Sequence, residues 1–373
     1  MNCLVCTNRI TRGIALLAIM FAAGCSSMQS GPITIVEQGS FFVAGRKVEA
    51  PGVYDPTKSP AGVDEGQGFW VDQMYVQYQI PENRRKLPLI LVHGGSGTGR
   101  VWETTPDGRE GYQSIMLRRG YPVYIVDFPR RGRAGYPSFN GPFGTLAGTA
   151  VVPNRTGQAG IQYAWSRWRL GPRYPEVFPV QQFPMKAVDQ FMQHLVPTVS
   201  DNAEVISGAL VALVDKIGPA IIVTHSQSGL FGWLAGARSD NVKGIVSYEP
   251  GFVFPQGGVP PPVPLFKGSQ PSGTPVTTAE FARLARIPIQ VVYGDNIPQQ
   301  PIADLVADGR RAQVVTSRMF VDSLGKQGGN ARVLHLPDAG LFGNSHFMFS
   351  DLNNVAVADQ LSLFLEQQGL AAR

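Results

Sequence analysis

Cysteine is nearly missing from this chain. Of 373 residues only Cys3, Cys6 and Cys25 carry a thiol, and all three precede residue 26. The remainder can form no disulfide and offers no thiolate nucleophile or ligand. Charge is scarce as well: Asp, Glu, Lys and Arg make up 16% of the residues, against roughly 25% in an average domain. The 32 basic and 27 acidic side chains leave a net charge of +5. Arg9 and Arg12 lie in a segment expected to be removed, which lowers the balance to +3. No clustered basic face of the kind a nucleic acid requires is evident, so no nucleic-acid partner is expected. Gly (43) and Pro (30) are plentiful, yet together they fall short of the level that marks low-complexity or collagen-like chains. With 43% hydrophobic and 10% aromatic residues, a sizeable core can be buried.

Long apolar runs are also lacking. Ile14 to Gly24 reads IALLAIMFAAG, 11 residues after a stretch holding Arg9 and Arg12 and no acid. As a helix it spans roughly 16 Å, about half a bilayer's hydrocarbon core. That suits a signal-peptide core better than a membrane span. Small residues then precede Cys25 in Ala22-Ala23-Gly24-Cys25-Ser26-Ser27. The pattern resembles a bacterial lipoprotein signal, with residues 1–24 removed and Cys25 carrying the lipid. Acyl chains on one cysteine exceed the two-anchor threshold for stable attachment. The mature chain is thus expected to be extracytoplasmic and held at a membrane (periplasmic or cell surface) through Cys25. Its oligomeric state is not legible.

Residues 25–68 read as a tether and N-terminal extension, with short strand candidates at Ile33–Val36 and Phe41–Val43 and a Pro/Gly-rich loop at 50–68. Residues 69–370 read as one domain. Met74–Ile80 alternates like a half-buried strand. Pro88–Val92, Val123–Val126, Ala220–Val223, Gly244–Ser247 and Ile289–Tyr293 are continuous apolar runs, the pattern of parallel strands buried on both faces. A last strand is expected at Ala331–Leu336. Helical patterns lie between them, at 112–119, 202–216, 230–237, 303–324 and 355–367. Residues 205, 206, 209, 210, 213 and 214 form a 3.6-period apolar stripe. Alternating strands and helices predict an α/β fold, a mostly parallel sheet covered on both faces. Between Asp127 and residue 202 no sheet strand is expected. That stretch, about 129–200, holds Tyr163, Trp165, Trp168, Tyr174, Phe178 and Phe183. Its aromatic content reads as a cap inserted over one end of the sheet.

The chemistry concentrates where Ile221-Ile222-Val223 runs into Thr224-His225-Ser226-Gln227-Ser228-Gly229 and a helix. A serine flanked at two residues by small side chains, between a buried strand and a helix, is a nucleophile elbow. Small neighbours are needed because the turn is sharp and strained. Serine also needs a base to take its proton. Of the five histidines (93, 194, 225, 335 and 346), His346 lies in a loop after the last strand and before the last helix. The histidine comes last in the chain order of such sites. A carboxylate should orient it. Glu249 and Asp295, each ending a strand, stand even on this evidence. An oxyanion hole would use the N–H of Gln227 and one from the loop His93-Gly94-Gly95-Ser96-Gly97-Thr98-Gly99, Gly95 first and Ser96 behind it. That loop fails both nucleotide patterns: Arg100 or Trp102 stands where G-x-G-x-x-G wants its last glycine, and Arg100-Val101 follows where a P-loop wants Lys-Ser/Thr. No H-E-x-x-H occurs, so no metal and no cofactor is expected.

From about residue 69 to 370 the chain resembles the α/β-hydrolase superfamily. His93-Gly94-Gly95, Asp127–Arg133, the 224–228 elbow and Gly343-Asn344-Ser345-His346 carry the likeness. Within it the chain resembles a bacterial serine esterase group similar to esterase 713. There the acid is a Glu after the strand following the elbow, as in Tyr248-Glu249-Pro250-Gly251. Gly343–Phe347 with Asp351-Leu352-Asn353-Asn354 resembles that group's C-terminal signature. The resemblance implies Glu249 as the acid and a carboxylesterase working by Ser226, His346 and Glu249 on a small-molecule ester through an acyl-enzyme. Thr224 and Ser228 in place of the usual glycines depart from the superfamily pattern. The same scaffold could cleave C–C bonds of diketones or amides, or serve as a non-catalytic surface lipoprotein.

Overall fold

The computed structural model describes residues 31–49, 52–57, 66–135, 156–199 and 203–373. The expected signal segment, Cys25, and residues 136–155 of the insertion lie outside them. Eight strands form the main sheet: β1 (Ile35–Glu49), β2 (Gly68–Pro81), β3 (Leu89–Val92), β4 (Val123–Asp127), β5 (Ala220–His225), β6 (Val242–Tyr248), β7 (Ile289–Tyr293) and β8 (Ala331–His335). Their spatial order is β1-β2-β4-β3-β5-β6-β7-β8. β2 runs antiparallel to both its neighbours, and every pair from β4 to β8 is parallel.

The short runs are buried on both faces, as their composition requires. Along β3, Leu89 and Leu91 point into one core, and Ile90 and Val92 into the other. Helices α3 (Ala203–Ile217), α4 (Ser228–Arg238), α5 (Thr278–Leu284) and α6 (Leu305–Gly325) pack on one face. Helices α1 (Tyr112–Arg118) and α7 (Asn354–Gln367) pack on the other, together with the insertion's Trp165, Trp168, Phe183 and Phe191. The insertion's helix α2 (Ile161–Arg167) is short. This is the α/β-hydrolase fold that the sequence predicts.

Two expectations need correction. Ile33–Val36 and Phe41–Val43 are not separate short strands. Residues 35–49 form one strand paired with β2 along nearly its whole length. Part of the segment read as an extension (25–68) therefore belongs to the sheet. Edge position explains the misreading: few residues of β1 are buried, so little apolar periodicity marks it. In addition, Ala44 and Gly45 both take positive φ (54° and 85°) in mid-strand. Helix α6 starts at 305 rather than 303, because Asp304 caps it by accepting from Val306 N (2.9 Å) and Ala307 N (3.1 Å).

Candidate functional site

Parallel strands end at one edge of the sheet, and the residues that follow β3, β5, β6, β7 and β8 make the site. After β5, Ser226 adopts φ 55°, a left-handed conformation that costs a side-chain-bearing residue on the order of 1 kcal/mol or more. Neighbouring strands hold it there. Ser226 N donates to Tyr248 O at 2.8 Å, and Gly229 N closes the turn onto Ser226 O at 3.1 Å. The two departures from glycine are braces. Thr224 Oγ1 and Ser247 Oγ are 2.5 Å apart. Ser228 Oγ accepts from His225 N at 2.8 Å and lies 3.0 Å from Val92 O. Gly229 tolerates no side chain, since a Cβ there would lie 2.2 Å from Pro250 Cβ.

Beyond β6, Glu249 is also left-handed (φ 49°) and buried. Its N–H donates to Val292 O at 2.9 Å. Its Oε2 lies 2.6 Å from His346 Nδ1 and accepts from Arg169 Nη1 at 2.7 Å. Its Oε1 accepts from Gly294 N at 3.0 Å and pairs with Arg169 Nη2. Burial alone would raise this carboxyl's pKa, but the Arg169 guanidinium and His346 outweigh it and hold the group well below the usual range. Asp295 is used differently. Its Oδ1 accepts from Asn296 N (2.6 Å) and its Oδ2 from Gly343 N (2.7 Å), so it shapes the histidine loop instead of touching the imidazole.

That loop is fixed on several sides. Asp351 accepts from Ser345 N (2.7 Å), Ser345 Oγ (2.7 Å) and Asn344 Nδ2 (3.0 Å). His346 N donates to Trp168 O at 2.9 Å. His225 places Nε2 3.0 Å from His346 O. With Nδ1–H directed at Glu249, His346 keeps the Nε2 lone pair as an acceptor. Arg310 Nη2 donates to that nitrogen at 3.2 Å. Among the described residues no hydrogen bond joins Ser226 Oγ to His346 Nε2. Burial and the Arg310 guanidinium push His346 well below its ordinary pKa, while Glu249 pulls the other way.

Gly95 and Gln227 are neighbours: a Cβ on Gly95 would lie 3.2 Å from Gln227 Oε1. Both residues are half-buried, and Ser96 beside them is left-handed (φ 59°). The glycine loop is pinned by Asp127, which accepts from Gly99 N (2.6 Å) and Arg133 N (2.8 Å). His93 also locks it, with Nδ1 2.7 Å from Gly94 O and Nε2 accepting from Phe128 N at 3.3 Å. His194 packs among Trp168, Phe191 and Phe347, and His335 lies in β8. Among the described residues no group of three or more His, Cys, Asp or Glu is arranged to hold a metal ion.

Sequence reasoning missed Arg169 and Arg310, both 1% exposed. For Arg310 a signal existed. Residues 310, 317, 320 and 324 fall on one helical stripe of α6, and all four are buried. An arginine on a core-facing stripe is a buried charge in need of an explanation.

No family model matches the chain. A solved structure described as the atomic-resolution structure of a novel bacterial esterase is similar, with a TM-score of 0.74 at 31% identity. The match covers 92% of this chain and 99% of that one. A probable secreted lipase, phiG, from Fungal sp. (strain ATCC 74256) is 29% identical over 325 residues, 79% of this chain and 86% of its own.

Proposed function

The chain belongs to the family of that bacterial esterase, within the α/β-hydrolase superfamily, and is a carboxylic-ester hydrolase; on that premise we propose that it works as a serine esterase through Ser226, His346 and Glu249. One observation carries the reading. A buried carboxylate, itself clamped by an arginine, sits 2.6 Å from the Nδ1 of an imidazole whose other nitrogen is kept as an acceptor.

In this reading Ser226 Oγ attacks the ester carbonyl carbon while His346 Nε2 takes its proton. Glu249 offsets the imidazolium charge across the Nδ1 contact. The oxyanion is held by the N–H groups of Gln227 and Gly95, with Ser96 N–H the alternative donor on the loop. His346 then returns the proton to the departing alkoxide, leaving the acyl group on Ser226. Water, deprotonated by His346, attacks that acyl group and frees the carboxylate. No step calls for a metal or organic cofactor. Small-molecule esters are the substrates. The left-handed Ser226 supports the reading, because strain of this kind persists where surrounding structure over-determines it.

The site acts outside the cytoplasm in this account, as the word secreted in the fungal relative's name supports. The mature chain is anchored by lipid on Cys25. Cys25→Ser is expected to move the protein from the membrane to the soluble fraction, and unchanged sedimentation would refute the anchor. The catalytic reading is tested by the kinetics of Ser226→Ala and His346→Gln on para-nitrophenyl esters. Each should lose about 10⁴-fold or more in kcat. Retained turnover in either would overturn the assignment.

A further inference from the structure

Three successive residues of the insertion reach three different groups of the site. Arg167 O accepts from Arg310 Nη2 (3.2 Å), Trp168 O accepts from His346 N (2.9 Å), and the Arg169 guanidinium grips Glu249. The grip is two-pronged: Nη1 donates to Oε2 at 2.7 Å, and Nη2 donates to Oε1. Arg169 Nε donates to Asp295 O at 2.7 Å, which fixes the plane of the fork against the loop after β7. Gly294 leaves room for it, since a Cβ there would lie 2.9 Å from Arg169 Nη2. Arg169 is itself left-handed (φ 57°), and its carbonyl accepts from Gln181 Nε2 at 2.7 Å. Gln182 then ties the same segment to the histidine loop, donating its N–H to Gly343 O (2.9 Å) and accepting from Leu352 N (2.6 Å).

This wiring bears on which nitrogen of His346 holds the proton. Glu249 is buried, and burial favours a neutral carboxyl. A neutral Glu249 would carry a hydrogen on the oxygen facing Nδ1 and donate it there. The imidazole proton would then sit on Nε2, and no lone pair would remain for a serine hydroxyl. An ionised Glu249 accepts from Nδ1–H instead and preserves the Nε2 lone pair. The charge of Arg169 keeps the carboxylate ionised, and its fork sets which oxygen faces the ring. The other groups facing the pair do not replace it. Arg310 Nη1, on α6, stays 3.9 Å from Oε2. On β5 and β7, burial keeps both His225 and Tyr293 neutral, lowering the first to about 3 and raising the second.

We propose that Arg169 is a positioning residue of the triad: it holds Glu249 ionised and turned toward His346 Nδ1, so that the insertion sets the tautomer of the base. The inference rests on the serine-esterase reading of the same site and deepens it. At 1% exposure Arg169 works through Glu249 and not on the substrate. Its positive charge also opposes a proton on the Glu249–His346 pair, whichever of the two would take it.

The experiment is a double-mutant cycle on the full chain with para-nitrophenyl butyrate, each variant followed across pH. Arg169→Met should lower kcat about 100-fold with KM nearly unchanged. It should also move the acid limb of kcat/KM upward by about one pH unit or more. Arg169→Lys keeps the charge and loses the fork, so it should recover part of kcat and leave the limb near its wild-type place. Added to Glu249→Gln, Arg169→Met should change kcat by less than about threefold, because the group it acts through is gone. The double variant leaves neither partner charged, so this comparison and Arg169→Lys decide the matter even where Arg169→Met alone fails to fold. The limbs are measured in an Asp351→Asn background as well, since that carboxyl faces Arg169 from the histidine loop and is pushed up to about 7. Losses that multiply in the double variant, or an acid limb that Arg169→Met leaves in place, would overturn the positioning role and leave the esterase standing. Full turnover in Ser226→Ala, assayed alongside, would overturn the esterase reading instead.

Discussion

His346 Nδ1 and Glu249 Oε2 lie 2.6 Å apart although 97 residues separate them in the chain. Two different loops are held rigid to achieve this, one by the left-handed turn after β6 and one by Asp351. Arg169, from the insertion, completes the contact by clamping the carboxylate from behind. The insertion is therefore a structural part of the site and more than a cover over it.

Glu249→Gln should remove the charge that supports the imidazolium and lower kcat by roughly 10³–10⁴-fold. Asp295→Asn alters only loop contacts to Asn296 and Gly343 and should cost less than about tenfold. Steady-state kinetics of the two variants decide it. A larger loss at Asp295 would reverse the assignment.

The pH profile follows from the surroundings of His346. Burial and Arg310 disfavour its protonated form, so the base stays available below the ordinary histidine value of about 6.5. The acid limb of kcat/KM, which reports the free enzyme, should fall below that value. Arg310→Gln should move it upward. A wild-type limb at or above 6.5, unmoved by the substitution, would contradict this electrostatic account.

Gly94 has no room for a methyl group. A Cβ would lie 2.6 Å from His225 Nδ1 and 3.2 Å from His225 O. Gly94→Ala should destabilise the fold by about 1–3 kcal/mol and lower esterase activity, because the clash displaces both the elbow and the Gly95 loop. Thermal unfolding and kinetics measure the two effects. An unchanged Tm would mean that the loop and elbow are less tightly apposed than this geometry requires.

Burial pushes the Asp351 carboxyl up to about 7, against the pull of its three donors. In the unfolded chain an aspartate titrates near 3.9. Between about pH 4 and 7 the folded state therefore binds the extra proton, and this group's contribution to stability declines as pH rises through that window. Asp351→Asn cannot titrate. The difference in Tm between wild type and variant should narrow from pH 4 to pH 7. A constant difference would show that Asp351 stays ionised throughout.

Much of the site was legible because local patterns announce it. The run Ile221–Val223 into small residues marks the elbow, and a loop histidine between the last strand and the last helix marks the base. The choice between Glu249 and Asp295 was not legible from the residues. Both end apolar strands, and only packing sends one carboxylate to the imidazole and the other to Gly343 N. Arg169 escaped notice because it meets Glu249 across 80 residues, a pairing that leaves no periodic trace; Arg310 is marked only as a charge on a core-facing helical stripe, which does not tell that it meets His346. Strand β1 was fragmented in the reading because a mostly exposed edge has little hydrophobic alternation to reveal it.

The proposed mechanism stands or falls with Ser226 as the nucleophile. The most direct measurement is peptide-mapping mass spectrometry of the full chain after fluorophosphonate treatment. One covalent adduct is expected, on Ser226, appearing in step with loss of esterase activity and much slower in His346→Gln. An adduct on another residue, or ester hydrolysis that continues with Ser226 fully modified, would contradict it.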